Sequence, residues 1–225
     1  QLSSGDFNHG SSLSWSPDGE SIYFSANRKE DWEYDFNNSE IYWLAVNSGE
    51  ITAITERNGP DENPLVSPDG NTIAYLSFED KVQAYQVTNL YLMDKNGENK
   101  RNISAKIDRS IENILWAKDG KGLYYTYDDW GDTKIAYIST SGVQKDLAKQ
   151  MGGTSIGRPY ASGSFSVATN GTIAYTHTST SRPADVALLS KGQVAPRLLS
   201  QLNNDLLSYR ELGQVEEVKY TSTFD

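Results

Sequence analysis

A four-residue turn recurs along this chain at a nearly fixed interval, and few folds permit that. Ser16-Pro17-Asp18-Gly19 is followed by Ser67-Pro68-Asp69-Gly70, Ala117-Lys118-Asp119-Gly120 and Ala168-Thr169-Asn170-Gly171. From aspartate to aspartate, or finally to asparagine, the steps are 51, 50 and 51 residues. A period in this range marks a propeller, solenoid or array. Each turn has a local cause. Proline presets φ at the first corner, Asp or Asn bonds back to its own backbone, and Gly accepts a positive φ. Such pairs between apolar runs are strong hairpin signals.

Four strand-like runs fall in each repeat. The first holds SLSW, SIYFSA, EIYWLAV and ITAIT, with a second turn, Asn47-Ser48-Gly49-Glu50, between the last two. The second holds ENPLV, TIAYLS, NLYLMD and KRNIS, the third ENILWA, GLYYTY, KIAYIS and VQKDLA, and the fourth SFSVA, TIAYTH, DVALLS and APRLLS. EIYWLAV is apolar on both alternating faces, with Tyr42, Leu44 and Val46 on one and Ile41, Trp43 and Ala45 on the other. A sheet with one wet face would alternate with polar residues instead. Blades stacked around an axis are covered on both faces. The expectation is therefore an all-β chain, a partial β-propeller of about four four-stranded antiparallel blades. The blades are expected at 12–60, 61–110, 111–160 and 161–203. Residues 1–11 would finish a preceding blade, and 204–225 would form a linker and the first strand of a further domain.

Composition narrows the function. Apolar residues make up 37% of the 225 residues and aromatics 11%, enough for a packed core. The formal charge of −10 is the wrong sign for a nucleic-acid partner, whose phosphates call for Lys and Arg. It suits a cationic ligand such as a free amino terminus. There is no cysteine, which removes disulfides and thiolate metal sites. No apolar run is long enough for a membrane-spanning helix. His9 and His177 are the only histidines, so no histidine metal cluster is expected, and His177 reads as a packed strand residue. No G-x-S-x-G elbow occurs. Asp94 to Glu98 has the composition of a calcium loop without its spacing, and no cofactor is expected.

In a four-stranded meander the turns alternate between two ends. The SPDG-type and NSGE-type turns share one end and are short. The second-to-third strand links and the links between blades share the other. They include 28–39 (RKEDWEYDFNNS), 78–88 (FEDKVQAYQVT), 128–133 (DDWGDT) and 151–163 (MGGTSIGRPYASG). Long links on a rigid frame are where binding residues tend to sit. This end is acidic and aromatic. Glu30, Asp31 and Tyr34 are candidate contacts to a substrate amine, and Asp61, Glu62, Glu79, Asp80, Asp128 and Asp129 share the rim. The competing reading is a plain solvated rim. Arg158 and Tyr160, in a Gly-rich link, are candidates for a substrate carbonyl or carboxylate, or for an ion pair that pins the link itself. Its glycines lack the Gly-Lys-Ser/Thr of a phosphate loop.

The stretch from NRKEDWEYDFNNSEIYWLAV through SPDGNTIAYLSFEDKVQAYQVTNLYLM, with DRSIENILWAKDGKGLYYTYDDWGDTKIAYIS, GGTSIGRPYASGSFSVATNGTIAYTHT and RPADVALLS, resembles the propeller domain of the prolyl oligopeptidase family. The closest branch is the bacterial dipeptidyl-aminopeptidase and acylaminoacyl-peptidase group of serine peptidases. The resemblance implies a seven- or eight-bladed propeller that filters substrates for an α/β-hydrolase domain holding the Ser-Asp-His triad. GQVEEVKYTSTFD resembles the first strand of that domain, so the family's catalytic residues have no positions here. Relatives grip the substrate amino terminus with a propeller Glu pair, and Glu30 and Asp31 are the nearest acidic neighbours here. The partners implied are the peptide substrate and the hydrolase domain, and family habit implies a periplasmic or exported protein. Uncovered blade faces would favour self-association. The alternative is a propeller scaffold for protein–protein binding, like that of the Tol-Pal envelope system.

Overall fold

A computed structural model describes residues 2–3, 5, 7–154 and 163–223. The chain divides into two compact units, Gln1–Trp130 with Lys134–Leu147, and Gly131–Thr133 with Ala148–Asp225.

The first unit begins with two antiparallel meanders. One is β1 (Asn8–Trp15), β2 (Ser21–Asn27), β3 (Glu40–Ala45) and β4 (Ile51–Ala53). The other is β5 (Asp61–Val66), β6 (Thr72–Ser77), β7 (Asn89–Asp94) and β8 (Arg101–Asn102). A third meander follows in β9 (Glu112–Trp116), β10 (Gly122–Asp129), β11 (Asp132–Ser139) and β12 (Gln144–Met151). The tail of β12 lies in the second unit. Within that unit Met151 pairs with His177 of β14. The second unit carries β13 (Phe165–Val167), β14 (Ile173–Ser179), β15 (Arg182–Leu189), β16 (Arg197–Leu198) and a single helical turn, α1 (Asn204–Leu207). His177 sits edge-on to Tyr175 at 5.9 Å. The architecture is the all-β partial propeller that the repeat predicts.

The two-faced strands explain the stacking within the first unit. Register puts Leu13, Trp15, Ile22, Phe24, Tyr42 and Leu44 on one face of the first sheet. The opposite face, with Tyr23, Ile41 and Trp43, packs against Val66, Ile73, Tyr75 and Met93 of the second sheet. Alternate residues of β6 then turn the other way. Ala74 and Leu76 join Leu90, Leu92, Trp116, Leu123 and Tyr125 in a core between the second and third sheets. Each large apolar side chain buried this way contributes about 1.5–3 kcal/mol. Bonds between sheets set the stagger. Ser14 Oγ accepts from Val66 N at 2.9 Å, and Trp116 Nε1 donates to Leu65 O at 2.8 Å.

The recurring turns are built alike. Gly19 N donates to Ser16 O, Gly70 N to Ser67 O, Gly120 N to Ala117 O and Gly171 N to Ala168 O, all at 2.8–2.9 Å. The corner side chain returns to the backbone two residues on, as in Glu20 N to Asp18 Oδ1 (3.0 Å) and Asn71 N to Asp69 Oδ1 (3.1 Å). In the first unit both turn types of a sheet share one end. Val46 N donates to Glu20 O, Lys95 N to Asn71 O and Thr140 N to Lys121 O.

The other end has a repeated device of its own. Thr55 Oγ1 accepts from Ile41 N and donates to the Glu40 carboxylate, at 2.8 and 2.7 Å. Ser104 Oγ accepts from Leu90 N and donates to Asn89 Oδ1, at 2.8 and 3.3 Å. Within the second unit Ser200 Oγ accepts from Val186 N and donates to Asp185 Oδ1, at 2.9 and 2.8 Å. Each hydroxyl lies 15 residues after its Asp, Glu or Asn partner. It clamps the end of a fourth strand to the start of a third.

Two glycines separate strain from space. Gly19 has φ 74° and nothing near the position a Cβ would take, whereas Gly97, at φ 85°, would drive a Cβ into the Ile54 carbonyl oxygen. Gly19→Ala should lower stability by about 1 kcal/mol through backbone strain alone. Gly97→Ala should cost roughly 2 kcal/mol more, through overpacking between the first and second sheets. Urea unfolding of the two variants side by side checks this, and equal losses would contradict it.

Candidate functional site: the rim of long links

The long links of the first unit meet along one rim. In 28–39, Tyr34 N and Asp35 N both donate to Asp31 O, at 2.8 and 3.0 Å, which winds the segment into tight turns. Asn27 Nδ2 donates to Asp35 O at 2.7 Å, Asn38 Nδ2 to Asp35 Oδ2 at 2.6 Å, and Lys29 Nζ reaches the same carboxylate at 3.5 Å. Asp35 is therefore the internal tie of this link.

Asp80 ties its neighbour. Its carboxylate accepts from Val82 N (2.7 Å), Gln86 Nε2 (2.9 Å) and Asn37 Nδ2 (2.8 Å). Its backbone exchanges bonds with Asn58, N to O at 3.0 Å and O from Nδ2 at 2.8 Å. The hydrogen bond from Gln86, with those from Val82 N and Asn37, holds this carboxyl below its ordinary range. Three links from two sheets thus converge on one aspartate. Asp129 plays a similar part, between Lys134 Nζ at 2.6 Å and Arg109 Nε at 3.0 Å. Lys134, foremost among its partners, pulls its carboxyl down.

The candidates read from sequence take different places. Glu30 and Asp31 are exposed and form no ion pair among the described residues. Tyr34 beside them is 89% exposed. The three share one link, so the rim presents two free carboxylates next to an open aromatic ring. Arg158 and Tyr160 lie outside the described residues.

Two acids are buried where the first and second sheets meet: Glu40, which the sequence did not single out, and Asp61, which it placed on the solvated rim. Glu40 is 4% exposed and Asp61 fully buried. Glu40 accepts from Thr55 Oγ1 and, at 3.1 Å, from Arg57 N. Burial, against those two hydrogen bonds, pushes its carboxyl up. The Asp61 carboxylate faces Arg57 Nε at 3.7 Å, and among the described residues neither it nor the Tyr75 and Ser77 hydroxyls make a hydrogen bond of normal geometry. Burial raises Asp61 as well, opposed by Ser77 and Arg57. Arg57 in turn lies 4.8 Å over the Tyr91 ring. The 15-residue spacing from Glu40 to Thr55, recurring as Asn89–Ser104 and Asp185–Ser200, is the sequence signal that marks Glu40 as structural. Asp61 has no such signal. No group of three or more His, Asp or Glu among the described residues is placed to hold a metal ion.

No protein-family model matches the chain. Over 129 residues the chain is 33% identical to dipeptidyl-peptidase 5 of Porphyromonas gingivalis, a match covering 56% of this chain and 19% of that protein. It is 29% identical over 132 residues to dipeptidyl-peptidase 5 of Arthroderma otae, covering 53% and 18%. The chain resembles a peptidase propeller. The matches span under a fifth of the length of these curated relatives. Among solved structures it superimposes on an oligogalacturonate lyase (TM-score 0.69, 15% identity, 88% of this chain and 55% of that one). It also superimposes on the β-propeller domain of the Trilobed protease from Pyrococcus furiosus (0.59, 13%, 88% and 58%) and on TolB from Acinetobacter baumannii (0.61, 19%, 88% and 45%). At such identities these likenesses establish the propeller fold alone. The resemblance to the prolyl oligopeptidase family seen in sequence is borne out at the level of a peptidase-related propeller.

The buried acids give the sheet contact a pH dependence of defined sign. A carboxyl raised in the folded state binds its proton more tightly there than in the unfolded chain. Its contribution is most favourable below the unfolded value, near 3.9 for Asp, and is lost as pH rises through the folded value. The stability of the native protein relative to Asp61→Asn should therefore fall as pH increases from about 4 toward neutrality. Urea midpoints of both proteins across that range test it, and a constant difference would refute it.

Proposed function

We propose that this chain forms part of the propeller of a serine peptidase and shapes the approach of peptide to an α/β-hydrolase domain outside it. The observation that carries this reading is the 33% identity to a dipeptidyl-peptidase, combined with a rim on which the long links converge. Catalysis is assigned to the other domain. The chain's own part is steric and electrostatic: a frame of stacked sheets holds links that admit or exclude peptides.

Within that reading, Glu30 and Asp31 receive the free amino terminus of the substrate. Charge-assisted bonds from an ammonium to carboxylates are about twice as strong as neutral ones, and both acids are open to solvent. Tyr34 flanks them with an exposed ring. Arg158 and Tyr160 belong to the same proposal as contacts to the substrate's carbonyl end. The likeness to TolB reflects fold only and does not favour the scaffold reading.

In the full-length peptidase, the double change Glu30→Gln and Asp31→Asn should raise KM about tenfold for dipeptidyl substrates with a free amino terminus, leaving N-acetylated substrates unaffected. Equal effects on both substrate kinds would overturn the amine assignment. The present chain alone should not turn over either substrate, and serine-inhibitor-sensitive hydrolysis by it would place the chemistry here instead.

A further inference from the structure

The first strands of the three sheets in the first unit share an irregularity. Register slips between His9 and Leu13 in β1, between Glu62 and Leu65 in β5, and between Leu115 and Glu112 in β9. A slip of this kind bends a strand and re-aims a side chain, and it recurs next to functional sites. At two of the slips, fifty residues apart, stands an asparagine in left-handed backbone: Asn63 at φ 52° and Asn113 at φ 49°. Stepping back one repeat from Asn63 reaches Ser12. Left-handed backbone is unfavourable for any residue with a Cβ, and asparagine tolerates it better than most.

These three side chains border an open groove of about 400 Å³ whose walls include Leu13, Pro64 and Ile114. Among the described residues no charged side chain lines it, in a chain where 22% of residues are charged. Ser12 Oγ donates to Asn63 Oδ1 at 2.5 Å, which leaves the Asn63 amide N–H groups without a partner among the described residues. Asn113 is turned the other way. Its Nδ2 donates to Thr126 Oγ1 at 2.9 Å, while Thr126 directs its own proton to Glu112 O at 3.4 Å. The Asn113 carbonyl oxygen is the atom left open. The groove thus presents one amide donor and one amide acceptor between apolar walls.

The geometry points to a binding site for the uncharged main chain of an extended peptide, with Asn63 Nδ2 donating to a peptide carbonyl and Asn113 Oδ1 accepting from a peptide N–H. A peptide group carries one acceptor and one donor, and the two asparagines offer their complements. The absence of lining charge selects against an ionised ligand, including an acidic oligosaccharide, for which a chain of net charge −10 is in any case poorly suited. Glu30 and Asp31 do not line this groove, so their variants leave it intact whatever they do to amine recognition.

Glycine offers a clean test, because it adopts left-handed backbone without strain and removes the amide. The probe is an N-acetylated, C-amidated pentapeptide of alanine and serine, titrated into the ¹⁵N-labelled chain and followed through the Asn side-chain amide signals. The native chain should show saturable shifts at Asn63 and Asn113, with Kd on the order of 1 mM or tighter. The double variant Asn63→Gly, Asn113→Gly should keep the native backbone amide spectrum away from the groove and bind at least about tenfold more weakly. Native-like binding by that variant would overturn the proposal. So would the absence of saturable shifts in the native chain, or saturation by trigalacturonate with no response to the peptide.

Discussion

Packing in the first unit depends on the second sheet having two apolar faces and a neighbour for each. β6 shows the constraint within six residues. Ile73 and Tyr75 enter the core shared with the first sheet, and Ala74 and Leu76 enter the core shared with the third. A strand like this cannot lie at the surface without exposing a row of apolar side chains, so the sheets must stack. Once they stack, the four-stranded meander fixes which connections reach which end. The short turns are confined to one end and the long links to the other, because a strand reverses direction at every turn. The rim is therefore a consequence of core packing.

That logic also separates residues the sequence makes look alike. Trp15 and Trp116 occupy the same place in their repeats. Trp116 is 8% exposed, packed against the second sheet with its indole N–H on Leu65 O, whereas Trp15 is 56% exposed. Both are tryptophans at the end of a first strand, and among the described residues Trp116 has the second sheet to pack against. A tryptophan's environment is thus a property of the stack and cannot be assigned from its own repeat.

Strand identity was legible where alternation and turn chemistry agree. TIAYLS and NLYLMD became β6 and β7 residue for residue. Three of the four outermost strands are shorter than their runs: ITAIT gives Ile51–Ala53, KRNIS Arg101–Asn102 and APRLLS Arg197–Leu198, while VQKDLA extends to Gln144–Met151. In each of the three a hydroxyl near the end of the run, on Thr55, Ser104 or Ser200, takes over a backbone N–H of the third strand in place of a ladder partner. At the rim, exposure of Glu30 and Asp31 was legible from the loop's composition. The burial of Asp61 was not. It depends on Arg57, which the link before β5 lays against it, and on Ser77, its register partner across to β6 within the second sheet.

The rim's acidity consists of two populations with different physical roles. Asp35, Asp80 and Asp129 already accept hydrogen bonds or ion pairs from their own links, so a ligand could engage them only by displacing those bonds and loosening the loop. Residues 28–39 carry two basic and four acidic side chains, a balance of −2. Within that balance Lys29 and Asp35 neutralise each other. What is left is Arg28 against Glu30, Asp31 and Glu33, again −2, and Arg28 lies over the Phe7 and Tyr42 rings. The unneutralised charge of the link therefore sits on its exposed acids, held in place by Asp35, a half-buried acid of the same sign whose carboxylate is tied to Asn38 and Lys29. Removing Asp35 would disturb position and leave that outward charge intact, whereas removing Glu30 and Asp31 would erase charge and leave the tie intact. Position and charge on this loop can thus be altered independently.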